Sequence, residues 1–206
     1  MVINSKYKAS FTREQFMFYE MRTTAQLMLE KRSDNEIVSE VINNNLFQYP
    51  TEKSSKRMTL ACIKRLKQLE NVQLLDIIAN GASDSAKQVC LYAMMKQYKV
   101  INDFMVTVIG EKYRLKDFSY SKRNINVFFT RLQEQDDIVA SWSETTISKL
   151  KQVLQKILVD VGYIDTTKSE QLNTVLIDYD FKNILIDNRD YVTLSVFNCF
   201  EGESYE

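Results

Sequence analysis

The sequence contains no histidine, one proline and four glycines among 206 residues. Proline and glycine supply most of the tight turns between β-strands, so their scarcity argues against a β-rich protein. Long helices satisfy the backbone N–H and C=O groups with few turns. The sequence therefore predicts an all-α, compact, multi-helix globular protein.

The residues that most enzymes need are also scarce. Without histidine the chain lacks the commonest general base and a common metal ligand. It has no Walker or GxGxxG phosphate loop and no Cys-x-x-Cys pair. Its three cysteines are widely spaced among apolar neighbours, which is typical of reduced core thiols. We expect no catalytic residue, no metal and no cofactor, and therefore no enzymatic activity.

Long apolar runs are absent as well. No stretch of about 18 uncharged apolar residues occurs, and the first ten residues lack the apolar segment of a signal peptide. We therefore expect a cytoplasmic protein without a membrane span. No linker or internal repeat is found, so residues 1–206 are expected to form a single helical unit, with a monomer favoured. A division into halves at residues 1–82 and 83–206 stays open.

Start and stop signals divide the chain into helices. Thr12 with Gln15 predicts the start of a first helix, and Ser33 with Glu36 predicts a capping box for a second. Pro50 predicts a turn. Helices are expected at about residues 12–31, 33–44, 51–70, 83–110, 121–135 and 143–161. After residue 172 short helices are favoured, with a strand at residues 191–197 as the alternative, and the last six residues are expected to fray.

Charge is unevenly distributed although the net charge is zero. Residues 163–206 contain nine acidic and three basic residues, which leaves 18 acidic and 24 basic residues in residues 1–162. Such asymmetry hints at a polyanionic partner. In the predicted helix at residues 51–70, five cations fall within an arc of about 100° in which Leu60 is the one apolar residue. The same pattern is also that of a solvated face on an ordinary amphipathic helix.

Four segments of the chain resemble the BrxA family of the bacteriophage exclusion (BREX) defence systems. They are FYEMRTTAQLMLE, NNNLFQYPTEKSSKR, VINDFMVTVIGEKY and ASWSETTISKLKQVLQKILVDVGYI, within a likeness that covers about residues 7–177. The resemblance implies an all-helical protein, NusB-like in part, with helix-turn-helix elements flanked by positive charge and able to bind DNA. It also implies a core component of a bacterial anti-phage system.

Mapped onto this chain, the resemblance implies two helix-turn-helix elements. The first pairs residues 33–44 with residues 51–70, and the second pairs residues 121–135 with residues 143–161. In such an element the second helix presents its N-terminal side chains to the major groove, where Lys, Arg and small hydroxyl residues suit phosphates and base edges. The candidate DNA-binding residues are Lys53, Ser54, Ser55, Lys56, Arg57, Lys64, Lys67, Arg123, Lys149, Gln152 and Lys156.

Three functions follow as hypotheses. The first is a DNA-binding accessory subunit that contacts mainly the phosphate backbone. The second is an assembly adaptor that docks to other BREX proteins through Leu60, surface tyrosines and the acidic C-terminal region. The third, implied only by the likeness to the antitermination factor NusB, is RNA binding.

Overall fold

The computed structural model describes residues 6–200, and these form two compact units. One unit is Phe16–Gln97, and the other combines residues 6–15 with residues 98–200. The all-α prediction is confirmed, because strand-like pairing among the described residues is limited to one isolated bridge between Ser119 and Gln171. The boundary between the units follows residue 97, whereas residue 82 lies inside the first unit. The predicted fraying of the tail concerns residues 201–206, outside the described residues.

The first unit contains five helices. They are α1 (Phe18–Leu29), α2 (Asp34–Asn43), α3 (Glu52–Lys67), α4 (Val72–Asn80) and α5 (Ser83–Gln97). α1 packs against α3 and α4, α2 packs against α3, and α5 packs against α3 and α4. Most of α5 is buried, as expected for a helix with apolar residues on nearly every side.

Side-chain caps determine where two of these helices begin. At α2, Ser33 and Glu36 form the predicted capping box, with the Ser33 N–H donating to Glu36 Oε2 at 2.7 Å. At α3, the Thr51 hydroxyl accepts a hydrogen bond from the Ser54 N–H at 3.2 Å. Both predicted starts are confirmed, because each cap satisfies N–H groups that the helix leaves unpaired.

The first helix begins later than its capping signal predicted. Thr12 lies in a short 3-10 helix and its hydroxyl donates to a backbone carbonyl instead of capping an α-helix. α1 begins at Phe18, after Met17 adopts a left-handed φ of 51°. The ring of Phe11 is fully buried and lies 5.4 Å from the ring of Tyr98. Tertiary packing of that ring therefore overrides the local signal.

The second unit contains the remaining elements. They are the 3-10 helix (Ser10–Thr12), α6 (Lys99–Phe104), a π-helical segment (Met105–Gly110), α7 (Glu111–Arg114), α8 (Lys122–Gln135), α9 (Asp137–Ala140), α10 (Glu144–Val161), α11 (Tyr179–Asp187) and α12 (Tyr191–Val196). α6, the π-helical segment and α7 form one continuous helix, and α12 packs against it. The favoured helix near residues 191–197 is confirmed.

The long helix predicted over residues 83–110 is interrupted at Tyr98. Its backbone is extended, with φ −119° and ψ 104°, and its hydroxyl donates to Glu14 Oε2 at 2.6 Å. Buried phenols usually find a hydrogen-bond partner, and Glu14 provides one for Tyr98. The interruption separates α5 from α6.

The three cysteines are buried thiols that form no disulfide, as the sequence analysis predicted. Among residues 6–200 no helix combines the length and the apolar composition that crossing a membrane requires.

Candidate nucleic-acid interface

Four cations lie together on the exposed side of α3. Lys53, Lys56, Arg57 and Lys64 are exposed, and within residues 6–200 none of them forms a side-chain hydrogen bond or an ion pair. At 100° per residue their positions fall within an arc of about 100°, so the four side chains leave the helix on one side. We name these four residues the α3 surface.

The buried side of α3 determines how the α3 surface is oriented. Met58 and Ile63 of α3 belong to a buried apolar cluster. The other buried members come from α1, α2 and the following turn, and they are Leu27, Ile37, Val41 and Phe47. Rotating α3 about its axis would return these side chains to water at a cost of about 25 cal/mol per Å² of apolar surface. The cluster therefore keeps the four cations on the solvent side.

The turn between α2 and α3 is joined to α1 by a hydrogen bond. The Tyr49 hydroxyl donates to Glu20 Oε1 at 2.6 Å, and the Tyr49 ring meets the Phe47 ring edge-on at 6.0 Å. Burial, together with the hydrogen bond to Glu20, raises the pKa of Tyr49 well above its usual range. The turn occupies residues 44–51, which is longer than the three or four residues of a strict helix-turn-helix. That motif stays a prediction here.

Ser55 is a predicted site residue that the structure places on the wrong side of α3. It is buried, and its hydroxyl donates to the Thr51 carbonyl oxygen at 3.3 Å. Position 55 shares its side of the helix with the buried Met58, so Ser55 cannot reach a ligand without unfolding the helix. Ser54 is half-buried and is engaged by the Thr51 cap.

Lys67 lies on the same side of α3 as the four cations but already has a partner. Its Nζ lies 2.6 Å from Asp34 Oδ2, at the first residue of α2. An exposed pair of this kind contributes little stability, and it cancels the charge of Lys67 locally. We therefore leave Lys67 outside the α3 surface.

The remaining predicted residues belong to the second unit. Lys149, Gln152 and Lys156 are exposed along one side of α10, and Lys156 Nζ donates to Gln15 Oε1 at 3.1 Å. Arg123 is exposed near the start of α8. The sequence analysis missed Arg131, which lies on the same side of α8 two turns later. The signal in the sequence is that Arg131 follows Arg123 by eight residues, a spacing that places both on the same side of a helix.

The second predicted helix-turn-helix contains an additional helix. α9 is capped by Asp136 and separates α8 from α10. Ser143 caps α10 by accepting from the Thr146 N–H at 3.2 Å, which confirms the predicted start of this helix at residue 143. A helix-turn-helix made of α8 and α10 stays a prediction.

Comparison with known proteins assigns the chain to a family. The sequence model of the family BrxA matches residues 5–189, which is most of the chain. The chain belongs to the BrxA family of BREX phage-defence systems. The resemblance stated from the sequence is thereby confirmed. The family match ends before α12 begins.

Three BrxA relatives align with this chain over most of their length. The BREX protein BrxA of Bacillus cereus is 32% identical over 171 residues, which cover 83% of this chain and 85% of that protein. The BREX protein BrxA of Escherichia coli is 25% identical over 159 residues, covering 77% of this chain and 74% of that protein. The one from Paramagnetospirillum magneticum is 23% identical over 185 residues, covering 90% and 92%.

A solved structure shares the fold of this BrxA-family chain. It is the crystal structure of an uncharacterized protein from Magnetospirillum magneticum, with a TM-score of 0.77 at 22% identity. The match covers 94% of this chain and 98% of that chain. At this identity the likeness establishes the fold alone.

Proposed function

We propose that this BrxA-family chain binds DNA through the α3 surface, mainly by contacts to the phosphate backbone. The supporting observation is that Lys53, Lys56, Arg57 and Lys64 are exposed together without an ion-pair partner in residues 6–200. By contrast, five other cations are neutralised by nearby carboxylates: Arg32, Lys67, Lys99, Lys112 and Arg114. Uncompensated cations on one surface attract a polyanion.

The length of the α3 surface suits an extended polyanion. Lys53 and Lys64 are eleven residues apart, or about 16 Å along the helix axis. One strand of duplex DNA carries a phosphate about every 3.4 Å of its axis, so this length faces several phosphates. Contacts of Lys and Arg to phosphates carry no base information, and we therefore propose a weak sequence preference.

The exposed side of α10 supplies secondary contacts in this proposal. Lys149, Gln152 and Lys156 can meet phosphates from the second unit, as the sequence analysis expected. We further propose a binding role without catalysis, in the cytoplasm and alongside other BREX proteins. The role without catalysis is supported by the lack of histidine and of nucleotide-binding motifs in the sequence.

Replacing the four residues of the α3 surface by glutamine tests the proposal. Affinity for a duplex of about one to two helical turns is expected to fall at least about tenfold near 0.1 M salt. A matched control removes the same charge elsewhere, at the exposed cations Lys6, Lys8, Arg13 and Lys168. Equal losses in both variants would show that net charge alone matters and would overturn the assignment of the surface.

One observation favours the alternative role as an assembly adaptor. Leu60 is 45% exposed in the middle of the α3 surface, where an apolar side chain is unexpected on a purely phosphate-binding face. The variant Leu60→Ser separates the two roles, because it should spare DNA affinity and weaken a protein interface. Copurification with other BREX proteins after nuclease treatment supplies the readout, and competition between duplex DNA and RNA tests RNA binding.

A further inference from the structure

A groove with a volume of about 580 Å³ lies between α8 and the continuous helix of α6, the π-helical segment and α7. Arg123, Val127 and Arg131 line its α8 wall at intervals of four residues, which places them in one row along the helix. Glu111 and Leu115 line the opposite wall. The groove is thus built from two helices and belongs entirely to the second unit.

The groove presents apolar surface to solvent. Leu115 is 74% exposed and Val127 is 37% exposed, one on each wall. Phe128 also lines the groove; it is buried, and its ring lies 5.3 Å from the ring of Phe104, which connects α8 to α6. A groove between two helices that is lined in part by apolar side chains is the setting in which an amphipathic helix docks.

The carboxylates of the groove are already neutralised by cations of this chain. Each of the three has a lysine or arginine within ion-pair distance. The pairs are Asp103 with Lys99 at 2.8 Å, Glu111 with Arg114 at 2.8 Å and Asp117 with Lys112 at 2.7 Å. Asp103 also accepts a hydrogen bond from the Tyr7 hydroxyl at 2.6 Å. These acids therefore do not compensate the arginines on the opposite wall.

Once each acid of the groove is counted together with its cationic partner, two positive charges remain uncompensated, those of Arg123 and Arg131. Both are exposed, and within residues 6–200 neither forms a side-chain hydrogen bond or an ion pair. They lie eight residues apart on α8, or about 12 Å along its axis. A guanidinium binds a carboxylate with two parallel hydrogen bonds, so this pair suits two carboxylates about two helical turns apart.

We propose that this groove binds an acidic amphipathic helix from a partner protein. The apolar side chains of this partner helix lie between Leu115 and Val127, and its carboxylates contact Arg123 and Arg131. A nucleic-acid backbone would use the arginines but would leave the two apolar side chains against a row of phosphates. The apolar walls therefore favour a protein over DNA, and they assign Arg123 to protein recognition. The proposal does not depend on DNA binding by the α3 surface.

Three fluorescent peptides of about four helical turns test the charge of the partner. All three carry leucines along one side, and the flanking positions are glutamate, glutamine or lysine. Anisotropy with the full chain should rank their affinities as glutamate above glutamine above lysine, with the affinity for the glutamate peptide decreasing as salt increases. A lysine peptide that binds as tightly as the glutamate peptide, or no binding by any of the three, would overturn the proposal.

Two variants of the chain locate the binding site. In the double variant Arg123→Glu with Arg131→Glu, affinity for the glutamate peptide should fall at least about tenfold, and affinity for the lysine peptide should rise. In Val127→Glu, all three peptides should bind more weakly because a charge enters the apolar wall. All three positions are exposed, and unchanged circular dichroism and melting temperature would establish that both variants fold.

Duplex DNA serves as the competing ligand. The double variant at Arg123 and Arg131 should keep DNA affinity within about twofold of the unmodified chain, while it loses the glutamate peptide. The reverse pattern, with DNA affinity lost and peptide affinity kept, would assign the groove to nucleic acid and refute the proposal. The matched control is Lys53→Glu with Lys56→Glu, which reverses two charges on the α3 surface and should leave peptide binding unchanged.

Discussion

Gly110 lies so close to Ser195 that a Cβ atom at position 110 would be 2.6 Å from the Ser195 Oγ. Gly110 is the last residue of the π-helical segment, and Ser195 belongs to α12, which packs against that segment. The missing side chain thus allows α12 to reach the backbone of the continuous helix.

The variant Gly110→Ala is expected to destabilise the chain by about 1–3 kcal/mol, because the added methyl group forces either the Ser195 hydroxyl out of its hydrogen bond or α12 out of its packed position. Urea denaturation followed by circular dichroism measures the change. A Gly110→Ala variant as stable as the unmodified chain would show that Ser195 or α12 moves aside at no cost.

Ser195→Ala should partly suppress the effect of Gly110→Ala. Alone it removes the hydrogen bond that Ser195 Oγ donates to the Val192 carbonyl oxygen at 2.7 Å, at a cost of about 1 kcal/mol. In the double variant the clashing oxygen is gone, so the combined loss should be smaller than the sum of the single losses. A double-mutant cycle measures this difference, and strictly additive losses would contradict the contact.

Tyrosine ionisation should make the chain unstable in alkali. Burial raises the pKa of Tyr113, Tyr120 and Tyr163 above the ordinary value of 10.0. Below pH 10 these phenols are neutral in both the folded and the unfolded chain, so they add no pH dependence. Above pH 10 the unfolded chain releases their protons first, and stability falls as pH rises. Melting temperatures measured across that pH range should decline, and a constant melting temperature would contradict the burial of these phenols.

Tyr120 offers the most specific test of that decline. Its hydroxyl is buried and has no hydrogen-bond partner among residues 6–200. Tyr120→Phe should therefore change stability at neutral pH by less than about 1 kcal/mol, since no hydrogen bond is lost. It should also make the decline of stability in alkali shallower.

Tyr113→Phe is the contrasting variant, because it removes a hydrogen bond of 2.6 Å to the Asn173 carbonyl oxygen and should destabilise the chain at neutral pH. Similar losses in both variants at neutral pH would contradict this distinction.

The hydrogen bond between Tyr49 and Glu20 should stabilise the turn before α3. Tyr49→Phe removes a bond to a charged acceptor, and a loss of about 1–2 kcal/mol is expected in chemical denaturation. Tyr179→Phe is a matched control, because the Tyr179 side chain is 75% exposed. A Tyr49→Phe variant no less stable than this control would show that the turn holds its place without the bond.

Local signals were sufficient to predict several helix starts in this chain. Ser33, Thr51 and Ser143 each cap a helix with an oxygen that accepts from the N–H three residues later, so the neighbouring sequence alone identifies them. Thr12 carries the same signal and does not cap, because Phe11 is needed in the core beside Tyr98. Contacts between residues more than 80 positions apart are invisible to a local pattern.

Part of the candidate site could also be predicted from the sequence. Helical spacing placed Lys53, Lys56 and Arg57 on one exposed side, and the structure has them there. Ser55 was included for its chemistry, although the same spacing places it on the buried side. The groove between α8 and α6 could not be predicted, because it requires knowing which two helices pack against each other.

The salt dependence of DNA binding tests the central claim about the α3 surface most directly. If Lys53, Lys56, Arg57 and Lys64 each neutralise one phosphate, these four contacts should contribute about −3.6 to the slope of log affinity against log salt, in addition to the contribution of α10. Replacing all four by glutamine should make that slope shallower by about 3.6, whereas the matched control at Lys6, Lys8, Arg13 and Lys168 should retain it. A folded quadruple variant of the α3 surface that keeps both its affinity and its slope would contradict the account.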